Sequence, residues 1–173
     1  MNTRRGFLGG ITAMAAAVTS APELFAQQSA ATAKPRHTDA PHTHGDVYYF
    51  YGTGSNDGFP ESDQVTVTDP FEKHVARTMD ALKKDLESAG CSMDSILHLQ
   101  VSFCLPLADS FPMPTGKARF DAHKAQYDAL NKIYRTYFSP GKSPSRACLA
   151  VEWIPGNSLI EIVGSARILN PSA

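Results

Sequence analysis

Cysteine is scarce in this chain: there are three among 173 residues, at positions 91, 104 and 148, none in C-x-x-C spacing. That excludes a disulfide framework, a zinc knuckle and a dithiol redox pair. An excess of one charge is also missing, with 16 Lys and Arg against 17 Asp and Glu and a net charge of −1. Nothing therefore marks a nucleic-acid groove or a surface for anionic lipid, and neither is expected as a partner. The weakly apolar stretch from Gly9 to Ala17 falls far short of the roughly 20 residues a membrane span requires. Neither an internal repeat nor a break in composition points to a second domain. What is present, 42% hydrophobic residues, fits one compact core.

The N-terminus stands apart from that core. Thr3-Arg4-Arg5-Gly6-Phe7-Leu8 places paired arginines before an apolar doublet, then come a mild apolar stretch and an Ala-rich exit. This order resembles a twin-arginine (Tat) export signal. Cleavage after Ala26, or after Ala33 where Ala31-Thr32-Ala33 gives an A-x-A pattern, leaves a mature chain of roughly 140 to 147 residues with no membrane span. The expected division is a leader over 1–26, a flexible arm over 27–45 and one domain over 46–169, with periplasmic or other exported delivery. In an oxidising compartment an odd number of thiols leaves at least one free cysteine. His42-Thr43-His44 alternates two imidazoles, but no carboxylate pattern completes a metal site, so no metal is assigned there.

Along the domain, Asp46 to Tyr51 is aromatic and β-branched and stops at Gly52-Thr53-Gly54, which predicts a strand and a turn. Gln64 to Thr68 alternates and predicts a second strand. Asp69-Pro70-Phe71-Glu72 reads as a helix start with Asp69 as cap, followed by one apolar stripe through Val75, Met79, Leu82 and Leu86 and a stop at Gly90. Leu97, Leu99, Val101, Phe103 and Leu105 alternate with polar residues, His98 among them, as in a strand with one buried face. A loop over 107–117 leads to a helix from about 118 to 138, with Phe120, Tyr127, Leu130, Ile133, Tyr134 and Tyr137 on one side. Two strands close the chain, one through Leu149, Val151 and Trp153, the other with Ile160, Ile162, Gly164, Ala166 and Ile168 on one face. The order is ββ-α-β-α-ββ.

Two residues stand out from the packing. Arg146 opens a strand between the small residues Ser145 and Ala147, and Glu161 interrupts an otherwise apolar strand. A carboxylate there either faces water or serves a purpose, because unpaired burial costs several kcal/mol, of order 2–7 for even an uncharged polar group. A hairpin turning at Gly156-Asn157 would pair Glu161 with Glu152 and leave Arg146 some 20 Å away, at roughly 3.3 Å per residue. Either the two act separately, or the last strands are not sheet neighbours, or the residues meet across a subunit interface.

Four segments together resemble one family. Pro144-Ser145-Arg146-Ala147-Cys148 is similar to the Pro-Ala-Arg-Ser-Cys motif of the RidA/YjgF proteins, and Ile160-Glu161-Ile162 to their closing Ile-Glu-Ile-Glu strand. Tyr127 to Tyr134 resembles their Phe-x-x-x-Asn-x-x-Tyr helix, and Ala89 to Ile96 their Ala-Ala-Gly-x-x-x-Asp-Ile junction. The resemblance spans about residues 46 to 169. It implies an α+β, chorismate-mutase-like fold: a mixed sheet with two helices on one face, assembled as a homotrimer with clefts between subunits. It implies cofactor-independent hydrolysis of enamines and imines, with a small carboxylate as substrate. Arg146 and Glu161 are then the catalytic pair, Arg146 gripping the substrate carboxylate through two parallel donors and Glu161 positioning water. Asn131, Cys148 and Gly52 fall at substrate-binding positions.

The chain departs from the family in four places. The arm reads His37-Thr38-Asp39-Ala40 where the family has a tyrosine, Tyr51 replaces the usual serine before glycine, and Val163 replaces a second glutamate. Leu107 to Gln126 looks like an insertion. The alternative function is a non-catalytic module that holds a small carboxylate in the same cleft. A ribonuclease role lacks a basic groove or an aromatic platform.

Overall fold

The computed structural model describes residues 42–107 and 112–169. The leader, both cleavage positions, nearly all of the arm and part of the 107–126 insertion lie outside the described residues. Five strands form one mixed sheet: β1 (Thr43–His44), β2 (Val47–Gly54), β3 (Ile96–Phe103), β4 (Ser145–Ala150) and β5 (Ile160–Arg167), in the spatial order β1-β2-β5-β3-β4. Two helices, α1 (Phe71–Ser88) and α2 (Gly116–Tyr134), pack on one face. The main core gathers Val75, Met79, Leu82 and Leu86 of α1, Leu130 and Tyr134 of α2, and the inward strand residues Phe50, Leu99, Val101, Ile160, Ile162 and Ala166.

The apolar stripe of α1 does what its spacing predicts, since Val75, Met79, Leu82 and Leu86 are all fully buried. Gly90, at φ +75°, ends the helix, and the Cys91 N–H returns to the Leu86 carbonyl. The helix start differs from expectation. Asp69 does not cap α1; its carboxylate accepts from the Thr66 N–H and from Lys73 Nζ, both at 2.8 Å. The Lys73 ammonium holds that carboxyl down at about 2.

Gln64 to Thr68 is not a strand. Asn56 supplies from its side chain both bonds that a neighbouring strand would have given, accepting from the Val65 N–H at 2.8 Å and donating to the Val65 carbonyl at 2.9 Å. The second strand of the expected order is instead formed by the arm residues Thr43 and His44, paired antiparallel to β2.

β3 carries the sheet, running parallel to β4 on one side and antiparallel to β5 on the other. The pairing slips between Ile96 and His98, so Leu97 is extra to the ladder and faces out, while Leu99, Val101 and Phe103 stay buried. The last two strands are therefore not a hairpin, because β3 lies between them. At the centre of β5, Gly164 leaves room that no side chain could share: a Cβ would collide with the His98 carbonyl and stand 2.8 Å from the Phe50 ring. Among the described residues no helix covers the other face of the sheet. Tyr49, Tyr51, Leu97 and Leu149 are exposed there. In α2, likewise, Leu130 and Tyr134 are buried, but Phe120 and Tyr127 are exposed and the last turn is a 3-10 turn over Arg135–Tyr137.

Candidate functional site

Arg146 and Cys148 sit on β4 opposite Leu99 and Val101, so they share the helix-covered face. The Arg146 guanidinium donates to the Asn131 carboxamide oxygen and lies over the Tyr134 ring, 4.0 Å from its centre, with the Tyr127 ring 5.9 Å away. Tyr127, Asn131 and Tyr134 stand at i, i+4 and i+7 on α2, which puts all three on one helix face. That spacing was legible, yet sequence reasoning singled out only the asparagine. Stacking against tyrosine fixes a flexible arginine and holds its planar fork ready for an anion. One guanidinium nitrogen, Nη1, and the Tyr134 hydroxyl are buried without a hydrogen-bond partner among the described residues. Burial pushes the Tyr134 phenol up to about 12, against the opposing pull of the Arg146 cation. Burial likewise raises the Cys148 thiol, against the opposing pull of the Arg146 cation. All three cysteines are free.

Glu161 belongs to the other face. It pairs with Gly54 on one side and Ser102 on the other, between the inward-pointing Ile160 and Ile162. The β2–β5 ladder is irregular between Phe50 and Thr53, and this brings Gly52 against the glutamate. A Cβ on Gly52 would stand 3.1 Å from both the carboxyl carbon and Oε2 of Glu161. The carboxylate therefore lies over bare backbone. Beside it, the Tyr51 ring meets the His42 ring edge-on at 4.7 Å.

The five sequence-predicted residues thus form two groups: Arg146, Asn131 and Cys148 on the helix-covered face, and Glu161 with Gly52 on the open face. Between Arg146 and Glu161 lie two strand spacings sideways and three residues lengthwise, about 10 Å each way. Their side chains point to opposite sides of the sheet. One small ligand cannot touch both within a single subunit.

No family model matches the chain. Among solved structures, RidA from an Antarctic Psychrobacter species matches with a TM-score of 0.57 at 18% identity, over 78% of this chain and 92% of that one. A candidate endoribonuclease from Thermotoga maritima matches with 0.57 at 21%, over 78% and 89%. YyfA, of the conserved Rid protein family from Yersinia pestis, matches with 0.56 at 18%, over 73% and 83%. The fold is that of the RidA/YjgF proteins.

On this RidA/YjgF fold the end of β5 that carries Glu161 is pinned by a buried polar cluster the sequence did not reveal. Ser55, His74 and Ser158 are far apart in the chain and converge where β2 ends, α1 begins and β5 starts. His74 Nε2 faces the Thr66 carbonyl at 3.0 Å, so it carries the proton. Nδ1 then accepts from the Ser55 hydroxyl at 2.8 Å and the Leu159 N–H at 3.3 Å. Desolvation keeps His74 below the usual histidine range. The Ser158 hydroxyl accepts from the Ser55 N–H and donates to the Ile160 carbonyl. Among the described residues no three His, Cys, Asp or Glu side chains cluster as metal ligands, and no helix is long and apolar enough to cross a membrane.

Proposed function

We propose that this protein hydrolyses reactive 2-imino and 2-enamino acids to 2-oxo acids and ammonia, at sites formed where the Arg146 edge of one subunit meets the Glu161 face of the next in a homotrimer. The observation that carries this reading is the separation of the two groups onto opposite faces of the sheet, which a second copy can reunite. The exposed Tyr49, Tyr51, Leu97 and Leu149 give the open face the apolar surface such an assembly would bury. Arg146, already stacked and hydrogen-bonded, would take the substrate carboxylate. Glu161, lying over bare backbone at Gly52, would hold the attacking water. Water oxygen bonds to the imine carbon while its proton passes through the Glu161 carboxylate to nitrogen. The C–N bond of the tetrahedral adduct then breaks and ammonia leaves the carbonyl product. One water enters, one ammonia departs, and the balance needs no cofactor.

The test generates the imine in place with an amino-acid oxidase and follows its loss. Arg146→Ala should abolish binding of a 2-oxo acid analogue, and Arg146→Lys should restore little, because the bidentate fork is gone. Glu161→Gln should still bind the analogue while hydrolysis falls roughly 10²–10⁴-fold. Wild-type rates in Glu161→Gln overturn the mechanism. Binding through Arg146 with no turnover in wild type makes the protein a carboxylate-binding module instead.

Delivery by the twin-arginine route is part of the same proposal, on the evidence of Arg4-Arg5 and the Ala-rich exit. Changing both arginines to lysine should retain the full-length form in the cytoplasm. Processing that is unchanged in that variant rules the route out.

A further inference from the structure

Two stretches of backbone place Glu161, and one buried ring holds both. Gly54 of β2 stands opposite Glu161 in the ladder, and Ser158, Leu159 and Ile160 lead into it along β5. Ser55, directly after Gly54, has every polar group committed. Its N–H donates to Ser158 Oγ at 3.1 Å, its hydroxyl donates to His74 Nδ1 at 2.8 Å, and its carbonyl accepts from Arg77 Nε at 3.0 Å. His74 and Arg77 stand at i and i+3, on one face of α1. The Gly54 N–H is tied as well, to Asp57 Oδ2 at 2.6 Å.

On the β5 side the Leu159 N–H donates to the same His74 Nδ1 at 3.3 Å, and the Ser158 hydroxyl donates to the Ile160 carbonyl. One ring nitrogen thus accepts from both strands, one residue past Gly54 and two residues before Glu161. An amide N–H can only donate, so Nδ1 can only accept, and Nε2 is left to donate to the Thr66 carbonyl at 3.0 Å. Ser55, His74 and Ser158 are all buried, which keeps water from replacing a bond that is lost.

We infer that His74 and Ser55 are positioning residues for Glu161: they fix the backbone on both sides of the carboxylate and so aim the water it holds. Neither touches substrate. The inference rests on the proposed imine chemistry, which gives that water to Glu161. Arg146 lies on β4, beyond β3, so the hub acts on turnover and leaves the grip on the substrate carboxylate alone.

Three variants separate positioning from mere support. Ser55→Ala removes one hydroxyl and little volume. His74→Leu removes both ring contacts, whereas His74→Gln keeps an acceptor and a donor in one carboxamide. Tyr48→Phe is the control for lost stability, since it strips a hydroxyl contact to Asp85 where β2 pairs with Ala166, at the other end of β5. Each is compared with wild type by kcat and KM on the alanine-derived imine, calorimetry with pyruvate, melting temperature, and amide exchange over residues 54–55 and 159–161. Ser55→Ala and His74→Leu should lose at least about tenfold in kcat, because a 1 Å misplacement can cost 10²-fold, while pyruvate affinity stays within about twofold. His74→Gln should keep kcat within about threefold of wild type, and Tyr48→Phe should melt lower with kcat intact. A Ser55→Ala enzyme no slower than Tyr48→Phe overturns the positioning role and leaves the hydrolysis standing, as does pyruvate affinity that falls in step with kcat. Loss in His74→Gln as deep as in Ser55→Ala assigns the effect to the packing of the ring and overturns the hydrogen-bond role. If His74→Leu does not fold, Ser55→Ala and His74→Gln decide. With no imine hydrolysed by wild type, the proposed function fails and exchange reads the hub alone: faster exchange over 159–161 in Ser55→Ala but not in His74→Gln keeps the brace on Glu161, and unchanged exchange overturns both.

Discussion

Gly52 shows how much a missing side chain can define. A methyl group there would meet the Glu161 carboxyl at 3.1 Å, a distance that forces the flexible glutamate to swing aside while the backbone stays put. Gly52→Ala should therefore shift the melting temperature little. Imine hydrolysis should fall at least about tenfold, because misplacement of a reacting group by 1 Å can cost 10²-fold. Melting curves and kcat on the same preparation check this; an unchanged kcat removes Gly52 from the site. At this scale the sequence was partly readable. Glu161 and Arg146 declared themselves by sitting where composition gave no packing reason for them. Tyr134, which stacks on Arg146, was hidden because a tyrosine on an apolar helix stripe looks like core, and it is core as well. His74 was hidden for a different reason. The partners of its Nδ1, the Ser55 hydroxyl and the Leu159 N–H, are 19 and 85 residues away, and nothing local in a sequence signals a hydrogen bond closed over such distances.

Among the elements, α1 and the inward face of β5 follow directly from periodicity, because each has a single neighbour face to satisfy. The mistakes lie where a local substitute replaced a ladder or a cap: Asn56 in place of a strand beside Val65, and Lys73 in place of helix N–H groups at Asp69. The pin that joins β2, α1 and β5 carries a pH dependence. A histidine kept below its unfolded value of 6.5 by burial takes up its proton more readily in the unfolded chain. The stability this gives is complete above about pH 6.5 and shrinks as the pH falls below it. Asp69, Lys73 and Arg77 are the charges that face the ring, and only Asp69 favours protonation. NMR should find the His74 ring neutral, with the proton on Nε2, at pH values below the ordinary 6.5 of histidine. Protonation of His74 at the ordinary histidine value would place the ring in water and dissolve the pin.

For the molecule as a whole, the open sheet face is the feature that most needs a partner. Light scattering of the chain from residue 42 onward, or of the processed form, should give the mass of three subunits. A stable monomer at micromolar concentration would count against shared sites and against the proposed chemistry with them. The strand order was the part of the architecture least accessible to sequence, since neighbours along the chain are usually neighbours in the sheet, and here β4 and β5 are not. That order has a consequence for how the protein is made. Among the described residues, β1 and β2 join β3 and β4 in the sheet through β5, the last of the five strands along the chain. A nascent chain that stops short of residue 160 owns two half-sheets, each with an unpaired edge where β5 belongs. The full set of strand pairings can form only once β5 has been made. Chaperones that cover bare strand edges would be needed during exactly that interval and not after it, and a secretion route that accepts only finished proteins would find none until β5 is in place.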